Sequence, residues 1–180
     1  MSEDTPDAPP ARAGLDAAGD WQALPPDAAQ VAMITGTLWG LALGIGAAVL
    51  IGWPLRVAWP ALSLGGSLLL MVAVVLGFIV TGIWLGYRSW KFSLWKLDDT
   101  GLHVKRGRLW RKEILVPRSR VQHLDIERGP IERHFGLATL VVHTAGTRLQ
   151  AVRQPGFQDA DAVALRDALV PASDRHDDVL

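Results

Sequence analysis

Two long stretches in the first half of the chain carry no charged side chain. They cover residues 31–53 and 61–87, and only a short segment separates them. At a rise of about 1.5 Å per residue, each is longer than the roughly 30 Å hydrocarbon layer of a membrane. The alternative is a pair of buried core helices, but a domain this small cannot enclose two wholly apolar helices. The pattern therefore predicts a transmembrane hairpin.

The first span repeats a small residue at every fourth position. The repeat consists of Gly36, Gly40, Gly44, Ala48 and Gly52. On a helix these residues form a groove in which two backbones approach closely and gain dispersion contacts. The groove is predicted to pack against a helix, either the second span or another copy in a homo-oligomer. Neither span contains an ionisable residue, which argues against a proton relay or ion-coupled transport.

From residue 90 onward, apolar positions alternate with polar ones in short runs. Six runs predict short, mostly antiparallel strands: FSLWKLDD, LHVKRG, KEILVP, VQHLDIE, LATLVVHTA and RLQAV. The stretch FQDADAVALRDALV changes to helical spacing after a break at Pro155-Gly156, and it predicts one amphipathic helix. The expected class is α+β: a transmembrane hairpin, then a curved antiparallel sheet or barrel over residues 90–170, covered by that helix.

The two ends of the chain differ from both regions. Residues 1–30 are rich in Ala, Pro and Asp, and residues 171–180 are acidic. Few large apolar side chains are available there to bury, so most of both segments is predicted to be disordered.

Charge is segregated along the chain, although the chain is formally neutral. Residues 88–154 hold fourteen Lys and Arg against six Asp and Glu, and Arg56 is the single basic residue between the spans. Because basic residues are retained on the cytoplasmic side, the chain is predicted to be a multi-pass protein of the inner membrane with both termini in the cytoplasm. The basic block also predicts contact with anionic lipid headgroups or an acidic partner through one hairpin. Its residues are Lys105, Arg106, Arg108, Trp110, Arg111 and Lys112. The same cluster is also what an ordinary solvated hairpin next to a membrane would carry.

The run QHLDIERGPIERHFG, residues 122–136, is rich in side chains that can bind a metal ion or act in acid–base catalysis. Alternation places His123, Asp125 and Glu127 on the outward face of one strand. Alternate residues of a strand are about 7 Å apart at their backbones, and no second shell of ligands is evident, so no metal site is predicted. Ser119 lies near His123 in sequence but lacks a nucleophile elbow, so no catalytic residue and no cofactor are predicted either.

The second half of this run predicts one helical turn. Pro130 suits its first position, and Gly136 suits the left-handed conformation that closes it. Ile131 and Phe135 then face the sheet, while Glu132 and its neighbours face the solvent. Nucleic-acid binding is not expected, because the positive charge lies beside the spans and no recognition helix or stacking motif accompanies it.

Residues 97–146 resemble the bacterial pleckstrin-homology-like family of membrane proteins, the YdbS-like group. The motifs that carry the resemblance are GLHVKRG, VPRSRVQHLDI, GPIERHFGLATLVVHTAG and the following QPG. The order of WQALPP, two spans and the domain also fits, so the resemblance covers about residues 21–170. It implies a PH-like fold, a curved antiparallel barrel closed by a C-terminal helix, and no established enzyme activity or ligand.

The resemblance also bears on partners and function. Family members with several copies of the domain imply that a second, multi-copy membrane protein is a partner. The expected function is a non-catalytic, membrane-anchored binding module. The alternative is a structural protein that assembles through its glycine groove and its sheet edges.

Overall fold

The computed structural model describes residues 19–59, 63–107, 111–145 and 151–169. These residues form two compact units. The helical unit contains residues 24–93 together with residues 106–111, and the β unit contains the remaining described residues.

Two long helices form the helical unit. Helix α1 spans Pro26–Ala58 and helix α2 spans Leu64–Lys91. Their lengths of about 50 and about 42 Å, at 1.5 Å per residue, exceed the thickness of a hydrocarbon layer. Large apolar side chains along both helices are exposed, such as Leu50 (77%) and Leu69 (73%). The helices are therefore not the buried core of a soluble domain, and this surface suits contact with lipid.

The helices extend beyond the predicted spans, and their ends have local causes. Pro26 occupies the first position of α1, where a missing backbone N–H costs nothing. Helix α1 continues through Pro54 for one more turn. Ser63 caps α2, because its hydroxyl accepts a hydrogen bond from the amide of Gly66 (3.1 Å).

The small-residue face of α1 is buried against α2. Gly40, Gly44, Ala48 and Gly52 are all buried. A Cβ atom added at Gly36 would overlap the carbonyl oxygen of Gly82 on α2. The backbones of α1 and α2 are thus so close at Gly36 that a residue with a side chain would not fit there. The groove of α1 is thus filled by α2 of the same chain, and assembly with a second copy stays a prediction.

The β unit begins before the first span, which the sequence pattern did not predict. Strand β1, Gln22–Ala23, pairs antiparallel with β2, Ser93–Leu97. The amide of Gly19 also donates to the carbonyl of Leu97 (3.1 Å). The prediction of disorder is therefore wrong for residues 19–30, which form β1 and the start of α1. Residues 1–18 and 171–180 lie outside the described residues.

The remaining strands complete two sheets. The first sheet has the order β1-β2-β3-β4, and the second has the antiparallel order β5-β6-β7. These strands are β3 (Gly101–Arg106), β4 (Lys112–Pro117), β5 (Val121–Glu127), β6 (Leu137–Thr144) and β7 (Ala151–Gln158). Two helices accompany them: α3 (Pro130–His134) and α4 (Asp159–Leu169). The first five predicted strands are present and the α+β class is confirmed. Of the sixth, RLQAV, residues 148–150 lie outside the described residues, and Ala151 and Val152 begin β7. The described strands form two sheets and not a closed barrel.

The core of the β unit lies between the two sheets and beneath α4. Trp95 of β2 and Phe157 of β7 meet edge to face, with their ring centroids 5.2 Å apart, and both are almost fully buried. Leu165 of α4 is fully buried, and α4 contacts all three strands of the second sheet. Burial of each such side chain contributes about 1.5–3 kcal/mol to the stability of the unit.

Strand β7 passes through the break that was expected to end it. Ala138 pairs with Phe157 while Leu140 pairs with Gln154, so β7 carries an extra residue at Pro155 and Gly156. A bulge on an edge strand tolerates a proline that cannot donate a hydrogen bond. The prediction that Phe157 belongs to the helix is wrong, because this bulge turns its ring into the core.

Gly36→Ala is expected to loosen the hairpin, because the new methyl group would overlap the carbonyl oxygen of Gly82. Overpacking of this kind costs about 1–3 kcal/mol. The thermal midpoint of the full chain in detergent should fall. Gly46→Ala is the matched control on the same helix, since a Cβ atom there meets nothing within 4 Å. An equal fall in both variants would contradict the packing described.

Candidate functional site

The basic segment, residues 105–112, connects β3 to β4 and contains the residues predicted to bind an anionic surface. Arg108 and Trp110 lie outside the described residues. Lys105 is engaged inside the β unit: its Nζ lies 3.7 Å from the ring centroid of Trp21 and 3.4 Å from Oε2 of Glu113. Its charge is therefore partly balanced by the protein itself.

Trp21 and Asp98 organise the polar face of the first sheet. The Trp21 ring also contacts His103 edge on, with ring centroids 6.3 Å apart. Asp98 Oδ2 lies 2.9 Å from Nζ of Lys96 and 3.0 Å from Nε2 of His103. The Thr100 hydroxyl donates to the same carboxylate, and this bond, together with Lys96, holds the pKa of Asp98 well below its usual range. The face is therefore a network of paired charges.

The described residues Arg106, Gly107 and Arg111 of the basic segment belong to the helical unit. The amide of Gly107 donates to the carbonyl of Phe92, the residue that ends α2 (3.2 Å). Burial lowers the pKa of Arg106, but an arginine starts so high that it stays charged at neutral pH. Arg111 and Lys112 are exposed. The exposed positive charge of the described part of this segment thus lies at Arg111 and Lys112.

Aromatic and basic residues alternate along the last turns of α2. The guanidinium of Arg88 lies 4.5 Å from the ring centroid of Trp84, and Nζ of Lys91 lies 5.9 Å from that of Tyr87. Trp90 Nε1 donates to the carbonyl of Pro25 (2.9 Å), which ties the end of α2 to the start of α1. Amphipathic rings next to basic groups are typical of the level of lipid headgroups.

A second group of polar residues lies on the outer face of the second sheet. His123, Asp125 and Glu127 are exposed, as alternation predicted. The imidazole rings of His123 and His143 stack, with centroids 4.2 Å apart, and Nε2 of His143 lies 3.2 Å from Oδ2 of Asp125. Sequence reasoning considered one strand at a time and missed His143, which only the register between β5 and β6 brings to this place.

Glu127, the third residue of the sequence-based group, has a different partner. Its carboxylate lies 2.5 Å from Nη2 of Arg153 on β7. The structure therefore joins His123 and Asp125 to His143 and separates Glu127 from them. The group that converges, called the histidine cluster here, consists of His123, Asp125 and His143.

Glu132 was expected to face the solvent, but both of its carboxylate oxygens are bonded within the protein. Its Oε2 accepts from the amide of Gly129 (2.7 Å), and its Oε1 accepts from the hydroxyl of Thr139 (2.7 Å). It thus caps α3 and fastens it to β6. Gly136 closes this turn with φ +63°, as its left-handed position predicted.

Known proteins similar to this chain are bacterial. The family model described as "Bacterial PH domain" matches residues 28–172. The transmembrane protein YdbS of Bacillus subtilis (strain 168) is 26% identical over 113 residues, which are 62% of this chain and 66% of YdbS. The match thus spans slightly less than two thirds of that protein. No solved structure matches the chain. The first two matches confirm the resemblance that the motifs carry.

Asp98→Asn tests the polar network of the first sheet. Folding lowers the pKa of Asp98, so the ionised carboxylate stabilises the folded state. This stabilisation is fully present at pH values above the pKa of Asp in the unfolded chain, about 4, and it is lost as the pH falls below that value. The variant should therefore melt a few degrees below the wild type at pH 7. The two melting curves should converge in acid, as followed by near-ultraviolet circular dichroism of the full chain in detergent.

The matched control for this experiment is Asp99→Asn, one position along the same turn. Asp99 makes none of the contacts that surround Asp98 in the described structure. It should melt like the wild type at both ends of the pH range. A difference for Asp98→Asn that persists unchanged into acid would show that the charge of this carboxylate does not stabilise the fold.

Proposed function

The chain belongs to the bacterial PH domain family, and we propose that it is a non-catalytic module that binds anionic lipid headgroups at the inner face of the cell membrane. It is a membrane protein with two long apolar helices, and its PH-like part follows the second of them. The basic segment is the proposed binding element. The acids and imidazoles of the sheet faces have no catalytic role in this proposal.

The observation that carries the proposal is the hydrogen bond between Gly107 and Phe92. Phe92 ends α2, directly after the aromatic and basic turns. The bond therefore holds Gly107 of the basic segment at the end of a span, where lipid headgroups are expected. A cluster of basic residues immediately beyond a transmembrane helix is a recognised element for anionic lipid.

The exposed side chains of the basic segment are the ones proposed to bind anionic lipid. Arg111 and Lys112 are exposed, and each basic residue near an anionic surface contributes about 1 kcal/mol, less at high salt. Lys105 contributes less, because Glu113 and Trp21 already engage its ammonium group. Arg108 and Trp110 are included in the proposal on their sequence position alone.

We also propose that both termini lie in the cytoplasm. Arg88 and Lys91 lie in the last turn of α2, and the basic segment follows, whereas Arg56 is the single basic residue near the opposite end of the hairpin. An excess of Lys and Arg next to a span holds that end inside.

A protein partner is the second candidate, and the edge of the first sheet favours it. Strand β4 is the last strand of that sheet, and Leu115 on it is 46% exposed. An open edge with an apolar side chain is suited to pairing with another chain. The family resemblance points to a multi-copy relative as that chain. Purification from native membranes in mild detergent, with proteins and lipids both identified, separates this candidate from lipid binding.

The lipid proposal predicts a charge-dependent lipid preference. Full chain carrying Arg111→Ser and Lys112→Ser is reconstituted in nanodiscs that mix phosphatidylglycerol with phosphatidylcholine. Its preference for the anionic lipid should fall about tenfold at low salt. Each of the two removed charges contributes about 1 kcal/mol to binding of the anionic lipid, and screening by the remaining salt reduces this contribution. Mass spectrometry of the lipids retained after extraction measures that preference.

The matched control removes the same charge elsewhere on the chain. Arg118 and Arg120 are exposed in the short turn between β4 and β5, so Arg118→Ser with Arg120→Ser lowers net charge equally. This variant should keep the wild-type preference. Equal lipid preference in all three proteins would overturn lipid binding by the basic segment.

The topology proposal predicts opposite labelling at two positions. The chain contains no cysteine, so single substitutions report cleanly. Trp59→Cys at the hairpin end should react with a membrane-impermeant maleimide in intact bacterial cells. Ser119→Cys in the β unit should react only after permeabilisation. Labelling of Ser119→Cys in intact cells would place the β unit outside and refute the orientation.

A further inference from the structure

The histidine cluster brings donor groups from two strands to one point on the outer face of the second sheet. His123 of β5 pairs directly with His143 of β6 in the antiparallel ladder. Side chains of directly opposed residues leave the sheet about 4.5–5.5 Å apart. The register shift between Val121 and His123 marks a bulge beside this pair, and bulges re-aim side chains near functional positions. Both imidazoles are thus directed to the same place by the backbone.

The third donor of the cluster is the carboxylate of Asp125. Its Oδ2 lies 3.2 Å from Nε2 of His143, and one ligand atom from each of the three residues lies within 4.8 Å of the others. Around a tetrahedral zinc ion, bonds of about 2.0–2.2 Å place ligand atoms roughly 3.3 Å apart. Side-chain rotation can close the remaining gap, because Asp125 and His143 are 58% and 32% exposed and no core packing holds them.

The chemistry of the donors selects the kind of ion. Two neutral imidazoles and one carboxylate suit zinc and the other divalent transition ions, whereas Mg²⁺ and Ca²⁺ prefer oxygen ligands alone. Three protein ligands on an exposed face leave a fourth position for water. The neighbouring acid, Glu127, is engaged by Arg153 and stays outside the set.

We propose that His123, Asp125 and His143 form a binding site for one divalent transition-metal ion, with zinc as the test ion. The site is independent of the lipid proposal, since it uses none of the residues of the basic segment. In the absence of metal, the same side chains form the stacked rings and the contact between His143 and Asp125 described above.

The test uses the full chain in detergent, purified without a polyhistidine tag and stripped of metal. Titration with Zn²⁺ in competition with a chromophoric chelator should give one ion per chain. His123→Gln and His143→Gln should each weaken binding by at least about tenfold, the scale seen when groups around a metal site are removed. Substitution with Co²⁺ should give visible bands of a mixed nitrogen and oxygen site, and these should disappear in His143→Gln.

Two matched controls make the result specific. His134→Gln removes an exposed histidine of the same β unit, and Glu127→Gln removes the neighbouring acid of the same strand face. Both should bind zinc like the wild type. Unchanged circular dichroism of every variant without metal shows that the fold is kept.

Two results would overturn the proposal. One is the lack of saturable binding by the correctly folded wild-type chain. The other is binding that His134→Gln weakens as much as His123→Gln or His143→Gln, which would mean that zinc binds to surface histidines without regard to the cluster.

Discussion

A two-residue ladder between β1 and β2 determines how the chain enters and leaves its long helices. Strand β1 precedes α1 directly and β2 follows α2 directly, so pairing of Gln22 with Trp95 brings the start and the end of the hairpin together. The hydrogen bond from Trp90 to the carbonyl of Pro25 imposes the same closure within the helical unit. For two helices that cross a membrane, ends that meet in this way have to lie on one side. The ladder also covers the edge of β2, whose backbone groups would otherwise be open to pairing with another chain.

The basic residues of the first sheet and of the basic segment differ in how far the protein itself engages their charge. Trp21 lies next to β1, and its ring engages the ammonium groups of Lys96 and Lys105, which carboxylates also balance. These charges serve the fold, because a paired lysine over an aromatic ring has lost part of its hydration and is less available to a second anion. Arg111 and Lys112 remain exposed. A count of basic residues alone therefore overstates the charge that faces outward.

The parts of the structure that were predictable from the sequence are those with a local cause. Uninterrupted apolar stretches predicted the two long helices, alternation predicted six strands, and the conformational freedom of glycine predicted the turn at Gly136. Strand β1 was missed because two residues carry no periodicity and their partner lies some seventy positions away. His143 was missed for a similar reason, since its relation to His123 depends on the register of two strands. The bulge at Pro155 and Gly156 was mistaken for a break because both residues end regular strands in most settings.

The charged run of residues 122–136 shows that ionisable residues that are close in sequence do not necessarily form one functional site. Backbone geometry assigns Glu132 to the cap of α3 and Arg128 to an ion pair with Asp159 at the start of α4 (2.6 Å). Both contacts hold elements of the fold in place. The contact between Asp125 and His143 differs, because the β5–β6 ladder already joins these strands and even a charged contact this exposed adds at most about 1 kcal/mol. The contact therefore contributes little to stability, and the proposed metal site is the function that we assign to these two imidazoles and the carboxylate.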